Sequence, residues 1–182
     1  FRAEGQQPEG NVSAGELRQW DAYYVGDTAE KVIYLTFDAG YENGNTPMIL
    51  DALKKHQVPA AFFVVGNYLE TSPDLVKRMV SEGHIVANHT YHHPDMSKIS
   101  DKASFEKELN MFPVLWTIDP LDWCSQSSTN VEKRILSKAR ENAIILLHDE
   151  YASSIEAALF IEEKLQSQGY VFVTVEEIML VS

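Results

Sequence analysis

The chain has 182 residues, 27 Asp and Glu against 15 Lys and Arg, and a formal net charge of −12. With 45% hydrophobic and 23% charged residues, it is long enough for one domain with its own core, which excludes a disordered or fibrous architecture. The acidic surplus excludes a phosphate-neutralising nucleic-acid binder and a polybasic membrane surface, and the longest apolar runs, 60–65 and 143–147, fall far short of the ~20 residues that span a bilayer.

Residues 1–15 are polar, rich in Gly and Gln, and without apolar period, so they read as a flexible N-terminal segment; 16–182 read as one domain. The first residue is Phe rather than Met, which reads as a processed or trimmed start. From Lys31 onward, short β-branched and aromatic runs recur at 32–38, 60–66, 85–88, 114–119, 143–148 and 171–175. Being apolar on both faces, they predict buried parallel strands.

Helices are predicted between them. Thr46-Pro47 opens 46–56 as cap and first-turn proline, with Ile49, Leu50 and Leu53 on one stripe. Ser72-Pro73 opens a second, through Leu75, Val76 and Met79 to a stop at Gly83. Further helices are expected at 101–109, 130–141 and 154–168, the last ended by Gly169. Six strands alternating with five helices predict an α/β domain with a parallel sheet, barrel-like or doubly wound. Cys124 is the single cysteine, so no internal disulfide supports the fold.

In parallel α/β folds the ligand site forms beyond the carboxyl ends of the strands. Asp38, Gly66, 88–93, 119–123 and 148–149 occupy those ends here. His89 and His93, four apart, would face the same way on one helical turn, a spacing that lets a metal take two nitrogens from one element. The plainer alternative is a pair of surface or capping histidines; three of the chain's six histidines within five residues favour the metal. His92 would point elsewhere on such a turn. Asp38 leaves its strand into a Gly-containing turn, as ligand, general base, or simply a turn-former. His148 ends an apolar strand, and a carboxylate such as Asp122 beside it would raise its pKa and suit it to general-acid work. Trp123 and Leu146 would supply an apolar wall.

These motifs, Asp38 in TFDAGYENG, NHTYHHPDM over 88–96, DPLDW over 119–123 and ILLHD over 145–149, resemble the polysaccharide deacetylases of carbohydrate esterase family 4, the NodB-homology domain. Among them the chain looks most like the branch acting on N-acetylmuramic acid of peptidoglycan, associated with the muramic δ-lactam of the spore cortex. The resemblance covers about 17–180. It implies a distorted (β/α) barrel and a divalent metal, usually zinc. It implies His89 and His93 as metal ligands, Asp38 as catalytic base, His148 as catalytic acid, and Asp122 as the group tuning His148. Trp123 and Leu146 would line the acetyl pocket, and Tyr41 is a further candidate substrate contact. The implied reaction is hydrolysis of the acetamide: Asp38 takes a proton from water, and His148 protonates the departing sugar nitrogen. Peptidoglycan glycan strands are the implied partner, placing the protein outside the cytoplasmic membrane; the sequence does not give the oligomeric state, and a monomer is the default expectation.

Two departures stand out. Ala39 occupies the position where the family's first motif has a second Asp, a metal ligand; alanine cannot coordinate, although the muramic-acid branch often differs at this position too. The family's Arg-Pro-Pro motif is also absent. No Arg lies between Arg78 and Arg134, and one strand–helix unit, of about 30 residues or more, is missing between Asn110 and Met111. These departures favour a rival reading, a catalytically impaired glycan-binding descendant. A second rival is a deacetylase of chitin oligomers or xylan. A phosphatase-like hydrolase is disfavoured by the lack of a phosphate-cradling glycine loop.

Overall fold

The computed structural model describes residues 12–19, 22–26, 31–108, 116–124 and 127–175. A five-stranded parallel sheet organises them: β1 (Val32–Ala39), β2 (Ala61–Val64), β3 (Ile85–Asn88), β4 (Ala143–His148) and β5 (Val171–Val173). β4 runs along one edge of β1, from Ile33↔Ala143 to Asp38↔His148. The other edge is shared, β5 taking Val32–Tyr34 and β2 taking Thr36–Ala39; β3 continues outward from β2. The helices are α1 (Ala14–Arg18), α2 (Thr46–His56), α3 (Gly66–Thr71), α4 (Pro73–Ser81), α5 (Lys102–Glu108), α6 (Ser128–Lys138) and α7 (Ala152–Ser167). Strand–helix alternation with parallel pairing is the expected α/β arrangement, and none of the described helices is long and apolar enough to cross a membrane.

Strand alternation divides the sheet into two faces. Ile33, Leu35, Phe37 and Ala39 of β1, with Phe62, Val64, Ile145 and Leu147, pack with Ile49, Leu50 and Leu53 of α2 and Ile155, Ile161 and Leu165 of α7 into the main core. Phe37 and Phe62 stack there at 5.0 Å between centroids. Tyr34, Ala61 and Ile144 lie on the opposite face in a smaller cluster. Asp38 and His148 follow Tyr34 and Ile144 at two-residue steps, so they share that second face.

Several expected boundaries move. The run 60–66 ends as strand at Val64, and Gly66 already opens α3. Of the expected strand at 114–119, residues 114–115 lie outside the described region, and the remainder makes a single bridge, Ile118 to Ile145. Thr117 is held to the sheet by its side chain as well: Ile144 N donates to its Oγ1 at 2.8 Å. α1 begins within the segment read as tail, because Ser13 and Glu16 cap each other reciprocally. Residues 1–11, and the expected junction at 110–111, lie outside the described residues.

One buried group opposes the fold. Glu162 of α7 is fully buried, neither carboxylate oxygen has a hydrogen-bond partner among the described residues, and burial pushes its pKa up to about 8. A carboxyl raised from 4.5 in this way carries a stability that is whole below pH 4.5 and lost as pH rises through 8. Glu162→Met should therefore raise stability at pH 8.5, on the order of 3 kcal/mol, and change little at pH 4.5. Urea unfolding at both pH values checks this; an equal effect at the two would refute it.

Candidate active site

The carboxyl ends of β1, β3 and β4 open onto a cleft of about 1010 Å³. Sheet register places two expected residues side by side: Asp38 and His148 are Cα partners on adjacent parallel strands. His89 follows β3 directly, its backbone N–H donating to Val64 O at 3.0 Å. Its Nε2 lies 3.5 Å from Asp38 Oδ2. Leu146, one alternation below His148, is buried and lines the floor, whereas Trp123 and Tyr41 are half exposed at the walls.

His148 is held by a buried carboxylate. Asp122 is fully buried in a short 3₁₀ turn, Asp122–Cys124. Its Oδ1 lies 2.9 Å from His148 Nδ1 and accepts Trp123 N–H at 3.0 Å. Its Oδ2 accepts His148 N–H at 2.7 Å and Ser154 Oγ–H at 2.5 Å. With Nδ1–H donated to the carboxylate, Nε2 is left for chemistry. Burial pulls the imidazole pKa down, but Asp122, with Asp38 and Glu150, outweighs it, and the net shift is upward. Asp38 moves the other way in function: burial pushes its pKa up to about 7, with Asp122 and Glu150 adding and His148 opposing. The cleft thus joins a carboxyl that becomes a base near neutrality to an imidazole kept protonated to higher pH, an arrangement for paired acid and base work.

The histidine motif is correctly located but not helical. Residues 89–93 form a loop in which Thr90 (φ 65°) and His93 (φ 51°) adopt left-handed backbone, uncommon for side chains of this size. Thr90 Oγ1 accepts His93 N–H at 2.9 Å. Glu108, at the end of α5, accepts Tyr91 N–H at 2.9 Å and His92 N–H at 3.3 Å. These bonds hold the loop, and the rings of His89 and His93 come within 4.8 Å by that route. His92 stands largely exposed, its Nδ1 3.3 Å from Glu108. His89 is kept neutral, its pKa pushed down to about 4 by burial and by His93 and His148, the state in which imidazole binds a metal.

The rings of His89 and His93 would offer a divalent cation two imidazole ligands, one fewer than the three protein ligands of a catalytic zinc site, leaving the remaining positions to water or substrate. No group of three or more His, Cys, Asp and Glu able to hold a metal occurs among the described residues. Ala39 supplies no donor, and its methyl lies in the helix-covered core.

Reading the sequence alone does not find Glu108, Ser154 or Glu150. The first two act from helices distant in sequence and leave no local signal. Glu150 lines the cleft beside Gly40, where a Cβ would fall 2.5 Å from its Oε1, and its signal in the sequence is its place one residue past the strand end at His148-Asp149.

Residues 25–112 match the family described as polysaccharide deacetylase. The peptidoglycan-N-acetylmuramic acid deacetylase PdaA of Bacillus subtilis is 34% identical over 214 residues, covering 96% of this chain and 81% of that protein. The solved structure of B. subtilis PdaA, a family 4 carbohydrate esterase, matches with a TM-score of 0.87 at 32% identity, covering 97% of this chain and 92% of that one. A chitooligosaccharide deacetylase of Rhizobium leguminosarum bv. trifolii is 36% identical over 156 residues, 66% of this chain and 72% of that protein. The alignment to PdaA is longer than this 182-residue chain, so residues of that relative amounting to about one strand–helix unit have no counterpart here.

Proposed function

The chain belongs to the polysaccharide deacetylase family, carbohydrate esterase family 4, and from that premise we propose that it removes N-acetyl groups from peptidoglycan amino sugars, releasing acetate. N-acetylmuramic acid is the proposed sugar, and the cell wall or spore cortex, outside the cytoplasmic membrane, the proposed place of action. Residues 16–182 are the proposed catalytic domain. The observation that carries the reading is the Asp122–His148 pair set beside Asp38 in a cleft that also holds the imidazoles of His89 and His93.

The geometry supports a division of labour among these residues. Asp38 accepts the proton of the attacking water. His148 delivers a proton from Nε2 to the departing sugar nitrogen, while Asp122 retains the proton on Nδ1 and steadies the imidazolium. Leu146 and Trp123 receive the acetyl methyl, and Tyr41 contacts the glycan at the mouth. His89 and His93 would hold the divalent cation, zinc in this proposal, which when bound supplies Lewis-acid polarisation of the acetamide carbonyl.

Acetate release from peptidoglycan, in the presence and absence of added zinc, tests the reading. The expected result is zinc-dependent release that His148→Ala abolishes. Glycan binding without any release would instead establish a non-catalytic binding protein, and faster initial rates on chitin oligomers or xylan would move the substrate away from muramic acid.

A further inference from the structure

Tyr91 sits between His89 and His93 in the loop, and none of the roles given above uses it. Its side chain is 47% exposed, yet it is pinned from several directions. The ring lies against Gly66, where a Cβ would fall 2.5 Å from ring Cδ2. Gly66 N–H donates to Tyr91 O at 3.1 Å, and Tyr91 N–H donates to Glu108. The phenol donates to Glu70 Oε1, and the ring meets His92 edge-on at 4.7 Å between centroids. A large aromatic side chain that is held rigid without being buried contributes little to the core, but its rotamer freedom is already spent before any ligand arrives.

The surroundings specify the ligand chemistry. Tyr91, Asn67 and Glu70 line the same cleft as Asp38 and His148, with Asn67 and Glu70 exposed on α3. An amide and a carboxylate beside a flat apolar ring match a pyranose, whose C–H face packs on the ring while its hydroxyls reach the polar groups. No Lys or Arg lines the cleft among the described residues, so a phosphate, nucleotide or acidic peptide finds no counter-charge there. Because Tyr91 lines the same cleft as Asp38 and His148, a sugar on its ring adjoins the one being deacetylated.

We propose that Tyr91, with Asn67 and Glu70, forms a subsite for the neutral sugar adjoining the reacting residue, so that the protein prefers oligosaccharides over short fragments. This rests on the glycan-deacetylase reading. The probes are a disaccharide and a tetrasaccharide cut from peptide-free peptidoglycan glycan strands. Tyr91→Ala should raise KM on the tetrasaccharide about tenfold with kcat held, against about twofold on the disaccharide. Tyr91→Phe, keeping the ring but losing the tie to Glu70, should fall between parent and Tyr91→Ala. Equal KM for parent and Tyr91→Ala on the tetrasaccharide overturns the subsite. A kcat loss shared by both substrates, with weakened zinc binding, also overturns it and makes Tyr91 a support for the histidine loop. If the parent releases no acetate at all, the catalytic reading fails by itself. Calorimetric titration of parent and Tyr91→Ala with the tetrasaccharide then decides: weaker binding by the variant upholds the subsite, and equal binding or none by the parent rejects it.

Discussion

Asp38→Asn should lower kcat for acetate release by about 10²–10⁴-fold, the range that a positioned general base contributes, and should make the metal-free protein more stable at pH 8. The two effects have one cause. Asp38 pairs in register with His148 and faces the cleft, where burial lifts its pKa to about 7. That environment suits a group that must take up a proton near neutral pH, yet it penalises the ionised carboxylate in the resting fold. With the folded pKa above the unfolded 3.8, Asp38 carries stability that is whole below pH 3.8 and lost as pH rises through 7. Asparagine does not ionise and escapes that loss. Thermal melts in chelator at pH 4 and pH 8, beside rates on glycan strands, give both readouts. A variant that loses activity and stability together at pH 8 would make Asp38 a structural residue, and one that retains a tenth of the rate would remove it as the base.

Asp122→Asn should change rate, pH profile and stability at once. Four donors converge on the carboxylate: Trp123 N–H and His148 Nδ1–H on Oδ1, and His148 N–H and Ser154 Oγ–H on Oδ2. An amide offers one acceptor oxygen. Ser154 can rotate to accept from the new NH₂ group, but the backbone N–H of His148 then faces another donor. We expect destabilisation of about 2–3 kcal/mol from that unpaired buried group. In the parent, burial opposes protonation of His148 and the Asp122 contact overcomes it. Without the negative charge burial prevails, the imidazole loses its proton at lower pH, and the alkaline limb of the rate profile moves toward acid. At the parent optimum kcat should fall by about 10²–10⁴. An unshifted alkaline limb would show that His148 is not the acid, because stability loss alone does not move it. The same sign applies to folding: the stability that His148 gains from a raised pKa is whole below pH 6.5 and lost as pH rises through the folded value, so the variant's deficit should be largest in acid.

How far the site was legible varies residue by residue. Asp38, His89, His93, Asp122 and His148 could be nominated because strand ends are marked by β-branched runs stopping at polar residues, and parallel folds place ligands there. The helical turn expected for the histidines was wrong because spacing four apart is equally available to a loop, and here Glu108, fifteen residues beyond His93, holds the loop in left-handed backbone. Ala39 was legible as a missing donor, but its place among the residues under α2 and α7 follows from strand alternation once Asp38 is known to face the cleft. Over the described part of the run expected as a strand at 114–119, only Thr117 and Ile118 reach β4, both donating backbone N–H to Ile144 O, and a contact that short makes a single bridge rather than a strand.

By itself the sequence determined the α/β class, most helix starts and the set of chemically competent side chains. Those are local matters of apolar period, Thr-Pro and Ser-Pro starts, and residues stranded at the ends of buried runs. Only the tertiary structure decided that Asp38 and His148 stand in one row, that Asp122 serves four donors, and that Tyr91 is pinned open toward the cleft. Each depends on register or on contacts between segments far apart in the chain, and a side chain's pKa and orientation are set by whatever the folded neighbours leave around it.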